Sequence, residues 1–109
     1  MGADSVIAFY GIRLTLDDDD IEAAETKDHP YMVAAQRVGL QTFWGRERET
    51  EPYFLMIGHR LAWLGAEHHT QIALDRSEVV EVMEDVQRKL SRMGARDTPR
   101  LHLQYHFDE

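Results

Sequence analysis

The sequence predicts an α+β domain: a small, largely antiparallel sheet of four to five strands, with one long C-terminal helix and short N-terminal helices packed on one face. Three observations carry that prediction. The stretch Asp75–Gly94 has the apolar period of a helix, and both of its ends are marked. Several shorter stretches alternate apolar and polar residues as strands do. The links among the middle strands are of hairpin length, which favours antiparallel pairing.

In chain order the elements read β-αα-β-β-β-α-β. Val6 to Leu16 is the first strand, with Val6, Ala8, Tyr10, Ile12, Leu14 and Leu16 on one parity. On the other parity Ile7 and Phe9 give way to Arg13 and Thr15. The strand is thus expected to be buried on both faces at its start and on one face at its end. Gly11 marks either a bulge or a close backbone approach. Asp17–Asp20 open a short helix around Ile21–Glu25, where acids suit the positive end of the helix dipole. A second helix begins near Pro30, a residue tolerated only at a helix start, and ends at Gly39. Leu40–Trp44 and Pro52–Ile57 are two strands joined by the polar run Gly45–Glu51, a solvated loop. Gly58 is read as a bulge inside one strand that continues to Leu64, in preference to a Gly58-His59 tight turn. Gly65-Ala66 is the next turn, leading to a further strand over His69–Leu74.

The long helix is the most legible element. Asp75 is placed to cap it, and Glu78 stands where a capping box needs an acid. Val79, Val82, Met83, Val86, Leu90 and Met93 form one apolar stripe. Gly94 follows, where a left-handed cap favours glycine. Asp97-Thr98-Pro99 is a turn. The last strand has Leu101, Leu103, Tyr105 and Phe107 on one side and Arg100, His102, Gln104 and His106 on the other.

With 109 residues the chain is read as a single domain over 1–109, long enough for one core without staples. It has no cysteine, which excludes disulfides and thiolate chemistry. No run is long and apolar enough for a membrane span, and Asp4 with no basic region argues against a secretory leader. A cytoplasmic location is expected. The formal charge of −8 is unevenly spread. Residues 17–28 hold seven acids against Lys27, whereas Arg88, Lys89, Arg92, Arg96 and Arg100 cluster near the end of the long helix. Nucleic acid is not an expected partner, for want of a broad basic face.

No chemical motif stands out. Zinc needs three or four ligands about 2 Å from one point. His68 and His69 are adjacent and would diverge on a strand. His102 and His106 would lie roughly 13 Å apart along theirs. The four aspartates lack the spacing and glycine of a calcium loop. The serines lack nucleophile-elbow glycines, and there is no glycine-rich phosphate loop. No catalytic residue, metal ligand or cofactor is therefore assigned.

The expected function is binding of another macromolecule, a protein with a basic surface, in the manner of adaptor, inhibitor or immunity proteins. The acidic corner (Asp17, Asp18, Asp19, Asp20 and Glu22) would steer association, and the strand aromatics Trp44 and Trp63 would anchor it. The alternative is a small-ligand binder or enzyme with a sheet–helix pocket lined by Trp44, Trp63, Tyr105 and histidines. A homodimer paired through an edge strand is a third possibility.

Overall fold

The computed structural model describes residues 4–46 and 50–106. Glu47, Arg48 and Glu49 of the expected solvated loop, and Phe107 of the expected last strand, lie outside them. Four strands form one antiparallel sheet: β1 (Ser5–Leu16), β2 (Gln41–Gly45), β3 (Tyr53–Gly65) and β4 (Arg100–His106). A 3-10 turn at Asp18–Asp20 runs into α1 (Ile21–Glu25). It is followed by α2 (Pro30–Val38), and α3 (Arg76–Met93) precedes β4. The sheet order is β2-β3-β1-β4. This is the split β-α-β, or ferredoxin-like, topology, which hosts many functions and selects none.

The helix ends form as their residues dictate. The Asp75 carboxylate accepts from the Glu78 N–H at 2.9 Å, and Gly94 closes α3 in the left-handed region at φ 78°. Gly39 closes α2 in the same way at φ 81°. The stripe of α3 buries Val86 and Leu90 against Tyr10, Ile12, Leu55 and Ile57. Met32 and Ala35 of α2 and Ala24 of α1 complete this core. All the helices thus lie on one face of the sheet.

The opposite face is closed by the sheet itself. In a flat sheet the two edge strands, β2 and β4, would be about 14 Å apart. Along β3, Trp63 lies seven residues beyond Met56, the partner of Phe43, which is about 23 Å of strand. Yet the Phe43 ring lies 6.2 Å from that of Trp63 and 5.8 Å from that of His106. The sheet has curled over, enclosing a second core of Ile7, Phe9, Phe54 and Met56. Arg13 lies over the Phe54 ring at 4.4 Å and donates to Gln104 Oε1 at 3.3 Å. This second core explains why the first half of β1 is buried on both faces.

Two features permit the curl. Gly11 and Gly58 are paired across β1 and β3, and each stands where a β-carbon would meet the other strand's backbone. Near them, Ala8 pairs with Ala62 but Phe9 with Arg60, which leaves Leu61 as the extra residue of a bulge. Of the two readings of Gly11, the close approach is the one that forms. β3 does run through Gly58 as one strand, but the bulge sits at Leu61 and Gly58 stays in register.

The expected strand over His69–Leu74 does not form. His69 makes a single parallel bridge to Leu64, and Ile72 and Leu74 are exposed. That bridge is to the edge of β3 that β2 leaves open beyond Gly58; the segment meets this edge once and does not follow it. The sheet accordingly has four strands.

Candidate functional site

The most unusual surface lies on β4. In sheets with one covered face, the apolar side of a strand normally turns toward the helices and is buried. On β4 it turns toward the helices and is not buried: Leu101 is 58% exposed, Leu103 71% and Tyr105 46%. The polar side faces the second core instead, where Gln104 is buried and His106 meets the rings of Phe43 and Trp63. The cause is the position of the helical layer. α2 packs over β2 and β3, and α3 over β3 and β1, so the layer ends before it reaches β4.

β4 is also an edge strand, pairing with β1 alone. Neither proline nor lysine occurs within Arg100–His106, so the usual devices that blunt an edge are few. Gln87 of α3 donates to the Tyr10 hydroxyl at 3.0 Å, and Tyr10 pairs with Leu101. This places that side of α3 beside the strip. Exposed Val80 lies two turns earlier on the same side. At the far end the Tyr105 hydroxyl donates to Asp4 Oδ2 at 2.7 Å, and this bond raises the phenol's pKa.

The acidic corner sits at the other end of β1. Asp17, Asp18, Asp19 and Glu22 are exposed; Asp20 is half-buried and accepts from the Asp17 N–H at 3.1 Å. Trp44 belongs to this end: its ring lies 5.7 Å from that of Tyr53, which pairs with Leu16. Trp44 is half-buried on the helix side. Trp63 lies on the opposite face and at the opposite end, where its indole N–H donates to Ser5 Oγ at 2.8 Å. His68 stacks on it at 4.2 Å. Trp44 and Tyr105 pair eight residues apart along β1, through Leu55–Leu14 and Val6 respectively. They are therefore separated by about 27 Å of strand and share no pocket with each other or with Trp63.

Among the described residues no group of three or more His, Asp or Glu side chains is placed to hold a metal ion. The histidines have local roles instead. His102 Nε2 lies 3.2 Å from the Gly11 carbonyl oxygen. His29, which carries no motif in the sequence, is buried and caps α2 by accepting from the Tyr31 N–H at 3.2 Å. Its position directly before Pro30 was the available signal, since proline at the first helical position puts its neighbour in the cap. The exposure of Leu101 and Leu103 is not legible in the sequence, because strand alternation does not say which side is covered. Family models, curated proteins and solved structures all offer no match to this chain, so no relative assigns a role to these residues.

Proposed function

We propose that this chain is a small, non-catalytic cytoplasmic protein that binds another protein, seating it along β4. The observation that carries this reading is the uncovered strip of Leu101, Leu103 and Tyr105 on an open edge strand. An incoming strand would continue the ladder with backbone hydrogen bonds, while its side chains, or a helix laid beside α3, would cover the strip. The acidic corner lies away from the strip and acts through its field. It draws in a partner with a basic surface and leaves the contact itself apolar. Trp44 gives that end a half-buried apolar margin, whereas Trp63 is occupied by Ser5 and His68.

The test uses Leu103→Glu, whose side chain is already in solvent and whose folding should be unaffected. Sedimentation of the isolated protein over a range of concentrations separates a second copy from a different partner. A dimer that Leu103→Glu dissolves identifies β4-to-β4 pairing. If the protein is monomeric, a partner recovered with the wild type and then purified should lose binding to Leu103→Glu. It should associate more slowly, with a flatter salt dependence, with a triple variant carrying Asn at 18, 19 and 20. A purified partner that binds Leu103→Glu with unchanged affinity refutes the β4 site.

A further inference from the structure

β2 pairs with β3 only from Gly58 backward, so past Arg60 that edge of β3 is open beside the C-terminal end of α2, while its other edge stays paired with β1. A cavity of about 350 Å³ opens there, toward the lower end of the size range of small-molecule sites. Phe9, Met32 and Phe43 supply its apolar lining, and Lys27, Arg60 and Thr42 its polar one. Phe9 and Met32 are buried, while both cations reach solvent.

Neither cation is neutralised. Lys27 stands in a segment with seven acids, yet among the described residues it forms no ion pair with any of them, and Arg60 forms none either. Arg60 instead lies 5.2 Å over the Trp63 ring, with its backbone N–H held by Gln41 Oε1 at 2.6 Å.

Lys27 is distinctive in a second way. Among the described residues it alone, glycines aside, has a positive φ, at 62°. It closes α1: its N–H bonds to the Ala24 carbonyl oxygen at 3.2 Å, and the Asp28 N–H bonds to that of Ala23 at 2.8 Å. Glycine is the usual occupant of such a closure, because a β-carbon there is strained. The backbone would be better served by glycine, and what lysine adds is its ammonium group, at the wall of the cavity. Strain held at a pocket is a pointer to function.

We propose that this cavity binds a small organic anion. An apolar, ring-sized body would lie against Phe9, Met32 and Phe43, and a single carboxylate, sulfonate or phosphate-monoester group would be met by Lys27 and Arg60. This site is independent of β4 and of the partner-binding reading.

The test is a fluorescence titration with 1-anilinonaphthalene-8-sulfonate and with N-phenyl-1-naphthylamine, which has the same rings without the anion. The sulfonate should bind with one-to-one stoichiometry and more tightly than the neutral probe. Amide resonance shifts should concentrate at Met32, Thr42 and Phe43. Lys27→Gly and Arg60→Gln should each weaken sulfonate binding at least about fivefold and leave the neutral probe unchanged. Lys27→Gly should also melt at a higher temperature than the wild type, which separates loss of binding from loss of fold. Equal affinity for the two probes, shifts elsewhere on the chain, absence of sulfonate binding, or undiminished binding by Lys27→Gly would each overturn the proposal.

Discussion

Replacing Gly58 with alanine should be among the most damaging single changes this fold can suffer. A β-carbon built there lies 2.0 Å from the Tyr10 carbonyl oxygen, 2.7 Å from Gly11 Cα and 2.9 Å from the Tyr10 carbonyl carbon. All three are backbone atoms, so no side chain can rotate out of the way. Restoring an ordinary contact of about 3.4 Å means parting the strands by about 1.4 Å, in the middle of a ladder that spans all 12 residues of β1. Both faces of that ladder are packed, one by α3 and the other by the second core. Overpacking a core costs about 1–3 kcal/mol where side chains can adjust. With only backbone to move, about 3–5 kcal/mol is expected, a large share of a typical domain's 5–15 kcal/mol. Gly11→Ala should behave alike, since its β-carbon would lie 2.0 Å from the Ile57 carbonyl oxygen. The double variant should cost less than the sum, because strands already parted admit the second methyl group. Urea denaturation followed by circular dichroism and tryptophan fluorescence would measure all three. A loss below about 1 kcal/mol for both single variants would refute the close crossing of β1 and β3.

Leu90→Ala should cost about 2–5 kcal/mol and Val86→Ala somewhat less, since both side chains are buried beneath α3; unchanged denaturation midpoints would mean that the stripe does not face the sheet. The Asp75 carboxylate is held below the usual aspartate range first by the Glu78 N–H and then by the Ser77 hydroxyl. A lowered folded-state pKa stabilises the fold above the unfolded-state pKa, and that contribution is lost as pH falls through the folded value. Any advantage in melting temperature of wild type over Asp75→Asn, which still caps the helix but does not titrate, should therefore shrink steadily below about pH 4. A gap independent of pH would show that the carboxylate's charge plays no part in the cap.

The sequence made local features legible and left long-range ones hidden. α3 forms between its two marked ends because a cap, a stripe and a terminal glycine are all decided within twenty residues of chain. Pro30 and Gly39 bounded α2 for the same reason. The 69–74 segment misled because alternation of Thr70, Ile72 and Leu74 shows only that the chain can extend. Whether it joins a sheet depends on its running along an edge, and the segment leaves the open edge of β3 after one bridge. The curl is less legible still. Gly11 and Gly58 stand 47 positions apart in the chain, and nothing in either neighbourhood says that they face each other. Without the curl, Phe43, Phe54 and Trp63 look like candidates for an open aromatic face; with it, they line a second core. The β4 strip has the same character, since its exposure reflects where α2 and α3 come to rest. Lys27 was visible only as one cation among acids, because its φ depends on how α1 ends.

The pairing of β1 with β4 also governs how the chain must mature. Asp4 and Tyr105 are separated by 101 positions and joined by a hydrogen bond. At about 5–20 residues per second, β4 is synthesised roughly 5–20 s after β1. Until β3 is made both edges of the strand carrying Ile7 and Phe9 are open, and after that the edge facing Gln104 and His102 is still open. A nascent chain in this condition is exposed to strand-to-strand aggregation, and one held by a chaperone is protected at the position β4 will later take. Slower synthesis lengthens that exposure and should lower the yield of folded protein at unchanged final stability.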